Sequence, residues 1–157
     1  MKIRILSDLH LEFQHWSPPK ADADIIVLAG DIDVGIRGIE WARRSFPSTP
    51  VVYVPGNHEF YGRHMWDLME ELLEEGKRFG VDVLDGRDLS IGGVRFLGAT
   101  LWTDFALQGS DRGSTDRAMD DAQYGMNDFR LIRYGEGRVF RPADARAIHL
   151  AQVRWAR

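Results

Sequence analysis

An α/β fold built on a parallel sheet is predicted by three short apolar runs at residues 2–6, 25–29 and 51–54 of the 157-residue chain. Each run is rich in β-branched residues and too short for a helix. The segments between them have helical or loop character, which is the βαβ rhythm of a parallel sheet. The central residues of the runs read as buried on both faces.

The elements follow in order. Lys2 and Arg4 alternate with Ile3 and Ile5, and Asp8 arrives before an apolar run of leader-peptide length can form, so the chain is expected to open in a strand. Residues 36–44 have helical spacing and stop before Pro47 and Pro50. Met65, Leu68, Met69, Leu72 and Leu73 recur every three or four residues, opposite Glu70, Glu71, Glu74 and Glu75. They predict an amphipathic helix that covers the sheet and ends at Gly80. Residues 81–84, 88–91 and 94–98 are strand candidates split by Asp85-Gly86 and Gly92-Gly93, pairs suited to hairpin turns, so the sheet is expected to turn antiparallel here. Over 103–141 the apolar period is lost and five glycines sit among Asp and Arg. That reads as an irregular excursion or lid with at most short helices. Pro142 then starts a final helix with Ile148, Gln152 and Trp155 on one face.

With 44% hydrophobic and 28% charged residues, a soluble globular chain with a single domain over 1–157 is expected. No apolar stretch approaches the roughly 18 residues of a spanning helix, so no membrane association is expected. A net charge of −4 offers no general footprint for duplex DNA or acidic membranes. The absence of cysteine excludes disulfides, thiolate zinc sites and thiol catalysis, and fits a reducing, cytoplasmic setting. Any metal must be held by oxygen and imidazole.

Three polar clusters, Asp8-Leu9-His10, Gly30-Asp31 and Gly56-Asn57-His58-Glu59, each follow the carboxyl end of one of the first three strands. Ligand sites of open α/β sheets gather at that edge, so the clusters are expected to converge. Asp8 and His10, two apart, project to the same side of an extended backbone and can share one ion. Gly30 permits a sharp turn that brings in Asp31 to bridge two cations. Asn57 offers a neutral oxygen and His58 an imidazole. Such a sulfur-free set suits Mn, Fe, Zn or Mg.

These motifs, in this order, resemble the calcineurin-like metallophosphoesterase superfamily, which opens with Asp-x-His, Gly-Asp and Gly-Asn-His-[Asp/Glu]. The likeness covers residues 2–98, and residues 101–105 are similar to a bacterial branch of the family. The resemblance implies an αββα sandwich with two divalent metal ions at its edge. Asp8 and His10 would bind the first ion, Asp31 would bridge both, and Asn57 would bind the second. His58 would be the catalytic residue near the leaving group. Two cations about 3.5–4 Å apart clamp a phosphoryl oxygen and turn a water into the attacking hydroxide. His58 can protonate the departing alkoxide. Glu59 could orient it; family members that place an acid three residues after the bridging Asp have its counterpart in Val34 here, while Asp33 stands one position earlier.

The expected activity is therefore hydrolysis of a phosphate monoester or diester. The alternative is a non-catalytic binding module on the same scaffold. A nuclease relative is a third reading, with nucleic acid a possible but not favoured partner. Four protein ligands are too few for two ions of five or six coordination, and the family's Gly-His-x-His motif is absent. Residues 1–157 are thus expected to be the N-terminal portion of the sandwich, with an incomplete site. A half-built sheet exposes apolar surface, so a homo-oligomer is also expected.

Overall fold

The computed structural model describes residues 1–157. Its main sheet runs β1 (Ile3–Leu6), β2 (Ile25–Ala29), β3 (Val51–Val54) and β4 (Asp82–Val83), side by side in that order and all parallel. Helix α1 (Arg37–Ser45) joins β2 to β3, and α2 (Met65–Phe79) joins β3 to β4. A two-stranded antiparallel sheet follows, β5 (Arg87–Ile91) with β6 (Val94–Gly98). The chain finishes with α3 (Arg112–Gly125), α4 (Asp128–Leu131) and α5 (Pro142–Ala156).

Local chemistry sets several boundaries. Gly80 takes a left-handed φ of 65° and donates its N–H to the carbonyls of Gly76 and Lys77, closing α2. A Cβ on Gly76 would sit 2.7 Å from Val83 Cγ2, so the missing side chain is what lets α2 lie against β4. Gly92 and Gly93 both have positive φ and form the β5–β6 turn.

The strand register sorts the sheet into two unequal faces. Ile26, Leu28, Val51 and Tyr53 join a core of 20 buried residues that includes Ile39, Leu68, Leu72, Phe129 and Phe140. Leu28, Leu68 and Leu72 are fully buried, each contributing roughly 1.5–3 kcal/mol relative to exposure. Ile25, Val52 and Leu84 form a small separate cluster under Leu89, Ile91 and Phe96 of the β5–β6 hairpin. The mixed α/β architecture with a parallel sheet is thus as expected.

Four details differ from the sequence reading. β1 is an edge strand, and Ile3 and Ile5 remain 41% and 66% exposed because the hairpin covers only its neighbours. Asp85-Gly86 is not a hairpin turn: β4 runs parallel to β3, and the antiparallel pairing begins one strand later. The 103–141 segment carries a longer helix than expected, since α3 spans 14 residues of it. Asp111 caps that helix by accepting from Ser114 N–H, and Thr115, Ala118, Met119 and Ala122 make a narrow inward stripe. These mostly small side chains carry little apolar signal. On α5, Pro142, Ala145 and Gln152 are the buried residues, while Trp155 stays 36% exposed.

No helix is long and apolar enough to cross a membrane.

Candidate metal centre

The loops after β1, β2 and β3 meet at the carboxyl edge of the sheet, and their backbones are bonded together there. Asp8, His10 and Leu11 donate N–H groups to the carbonyls of Gly30, Asp31 and Ile32, so β1–β2 pairing continues beyond the strands. Gly30 and Gly56 pack against each other: a Cβ on Gly30 would lie 3.0 Å from Gly56 Cα, and one on Gly56 would lie 2.1 Å from Asp31 Oδ1. Only glycine lets the second and third loops approach this closely.

Within these loops, Asp8, His10 and Asp31 take left-handed backbone conformations, with φ of 53°, 47° and 55°. The segment around Asp8 and His10 is therefore not extended. A left-handed residue other than glycine costs about 1 kcal/mol, yet all three of these are sequence-predicted metal ligands. The side chains of Asp8, His10 and Asp31 each offer a ligand atom within 4.8 Å of the others. This donor set of two carboxylates and an imidazole fits a divalent cation.

Asn57 joins the same edge. Its Nδ2 donates to Asp128 Oδ1 at 2.8 Å and lies 3.2 Å from the Tyr61 hydroxyl. Tyr61 also donates to Asp128 Oδ1, at 2.7 Å. Holding the amide nitrogen in this way leaves the Asn57 carbonyl oxygen free as a ligand. Burial and the bond to Asp128 raise the Tyr61 hydroxyl above its ordinary pKa. Asp8, Asp31, Asn57 and Asp128 share a cavity of about 320 Å³ with Thr100 and Trp102.

His58 starts a single 3-10 turn, and its N–H donates to Asp31 Oδ1 at 3.0 Å. Its ring stands edge-on to His10, with centroids 4.4 Å apart, and packs on Tyr61 at 4.3 Å. The carboxylate that meets His58 is Glu12, with Oε1 2.8 Å from Nδ1. The same oxygen lies 3.3 Å from His10 Nδ1. Burial pushes the Glu12 carboxyl up, but hydrogen bonds from His58, its own backbone and His10 outweigh it and leave the group below the usual range.

Neither expected orienter of His58 reaches it. Glu59 is fully buried and faces away, accepting from Asp31 N–H at 3.1 Å, Ile32 N–H at 2.9 Å, Gly56 N–H at 2.8 Å and the Tyr53 hydroxyl at 2.7 Å. It clasps the second and third loops from behind. Burial holds its carboxyl above the ordinary range, although the Ile32 and Tyr53 donors oppose that. Asp33 accepts from Val34 N–H and from Arg37 Nε at 2.7 and 2.9 Å, at the start of α1.

The remaining wall is tied down from α5. Gln152 accepts from Leu101 N–H and donates to Asp85, which also accepts from Thr100 N–H. Burial raises the Asp85 carboxyl above its ordinary pKa, against the bonds from Thr100 and Gln152. His149 Nδ1 meets the Trp102 carbonyl.

Sequence reasoning missed Glu12 and Asp128. Glu12 continued the alternation Asp8, His10, Glu12 and was visible on that ground. Asp128 carried no local signal, since its partner Asn57 is 71 residues away.

A calcineurin-like phosphoesterase family model matches residues 1–134. An uncharacterized protein, L509 of Acanthamoeba polyphaga mimivirus, is 26% identical over 153 residues, covering 83% of this chain and 51% of that protein. Among solved structures, the phosphopantetheinyl hydrolase PptH from Mycobacterium tuberculosis is similar, with a TM-score of 0.63 at 20% identity. That match covers 98% of this chain and 62% of PptH, and it shows a shared fold. The chain spans about half the length of the curated relative it matches.

Proposed function

The chain belongs to the calcineurin-like phosphoesterase family, and from that membership we propose a metal-dependent phosphoester hydrolase with a two-cation centre. The observation that carries this reading is the convergence of Asp8, His10 and Asp31, all on left-handed backbone, at one sheet edge. Asp8 and His10 would hold the first cation, Asp31 both, and Asn57 the second. Divalent cations bound there supply positive charge for the phosphoryl oxygens and lower the pKa of a bound water toward neutrality. The protein's own part is positional. Asp31 receives the His58 N–H, so the bridging carboxylate and the catalytic imidazole are fixed to each other. His58 keeps Nδ1 on Glu12; as the doubly protonated imidazolium it would give its Nε2 proton to the departing alkoxide and return to the neutral Nδ1–H ring.

The substrate class is a phosphate monoester or diester, and nucleic acid is the less favoured diester given the acidic balance. Of the five histidines, only His10 and His58 stand at this edge, which supports an incomplete ligand set. The same shortage of imidazole favours a second reading, a non-catalytic binding module. Titration calorimetry with Mn²⁺, alongside hydrolysis of an aryl phosphate and a bis-aryl phosphodiester, separates the two. Metal-dependent turnover that disappears in Asp31→Ala supports the hydrolase. Metal binding without turnover supports the module, and absence of metal binding rejects the centre itself.

A further inference from the structure

Two buried glutamates serve the site in opposite ways. Glu59 has both oxygens engaged by four donors, so folding alone accounts for it. Glu12 is nine-tenths buried, with a side chain only 10% exposed. Its Oε1 meets two imidazoles, and its Oε2 is buried without any partner. A buried carboxylate with half its capacity unused is unfavourable for stability. What Glu12 does hold is the Nδ1 edge of His10 and the Nδ1 edge of His58. A carboxylate offers only acceptors, so a neutral imidazole facing it must carry its proton on Nδ1.

We infer that Glu12 is a positioning residue that fixes both rings in the Nδ1–H tautomer, so that one carboxylate sets His10 and His58 together. Each ring then carries its bare nitrogen at Nε2, and His10 offers a ring nitrogen within 4.8 Å of carboxylate oxygens of Asp8 and Asp31. Metal-binding imidazoles are commonly oriented by such an outer carboxylate. Here the same oxygen also orients the imidazole next to it, which couples the ligand and the acid through a contact 4.4 Å across between ring centroids. This role rests on the hydrolase reading for its consequence in turnover, but the tautomers stand independently of it.

The experiment uses the full chain without added metal, labelled with ¹⁵N-histidine, above the histidine titration range. Long-range ¹H–¹⁵N spectra, assigned with His10→Gln and His58→Gln, report which nitrogen of each ring is protonated. Nδ1–H on both rings is expected. Glu12→Gln, which retains an acceptor oxygen, should keep those tautomers, and Glu12→Leu should release both toward Nε2–H. Nε2–H on either ring of the unaltered chain, or unchanged tautomers in a folded Glu12→Leu, overturns the inference. In hydrolysis assays Glu12→Leu should lower kcat about 10- to 100-fold with KM held within about threefold. An unchanged kcat overturns the link to His58. Absence of turnover in the unaltered chain counts against the hydrolase reading alone, because the spectra still decide the role of Glu12.

Discussion

The loops after β1, β2 and β3 hold themselves together, whereas the rest of the cavity wall is held by elements distant in sequence. In the first region, Glu59 accepts from N–H groups of the very loops that carry Asp31 and Asn57, all within 28 residues. In the second, Thr100 and Leu101 depend on Asp85 and Gln152, the latter 51 residues beyond Leu101. The second region contributes one carboxylate, Asp128, and that carboxylate is already engaged by Asn57 and Tyr61. Ligand geometry is thus encoded locally, in short strand-to-loop units, while the wall around it is assembled by long-range packing.

That contrast makes Glu59→Ala the most damaging change. Three backbone N–H groups and the Tyr53 hydroxyl lose their acceptor, which should cost about 4 kcal/mol. Urea unfolding measures it, and a loss below about 1 kcal/mol would remove the basis for calling the first region self-clasped. Asp31→Ala comes next. It should weaken Mn²⁺ binding by more than about 100-fold, beyond the effect of removing an outer partner, as read by calorimetry. Asp128→Ala should weaken Mn²⁺ binding about tenfold, since it frees the Asn57 amide and leaves the other ligands in place. Equal effects at Asp31 and Asp128 would erase the distinction between the two regions.

The smallest effect concerns pH and has the opposite sign. Burial raises the Asp85 carboxyl in the folded chain, so the fold favours its neutral form. Stability from this group is fully present below the unfolded carboxylate pKa of about 3.9. It is lost as pH rises through the higher folded value. Asp85→Asn keeps an acceptor oxygen and carries no charge, so it should resist urea better than the unaltered chain at neutral pH. The gap should close on acidification. A gap that widens as pH falls contradicts this assignment.

The same contrast explains what could be read in advance. Residues 25–29 and 51–54 matched β2 and β3, and Gly80 closed α2, because each depends on apolar period or glycine chemistry within a few residues. The three polar clusters were legible because a parallel sheet delivers its strand ends to one edge. Exposure of Ile5 was not, since it depends on how far the hairpin reaches across the sheet. Helix α3 was hidden by its small inward residues, and Asp128 by a partner 71 positions away. Glu59 was seen as a functional acid, but which way its carboxylate points is decided by Tyr53 and the Ile32 N–H.

The left-handed backbone at Asp8, His10 and Asp31 also sets a direction for genetic drift. A glycine adopts that conformation without steric penalty, so a lineage released from the need to hold metal has a conformational reason to lose these side chains first. Among diverging copies of this gene, glycine at positions 8, 10 or 31 would mark those that have abandoned the metal.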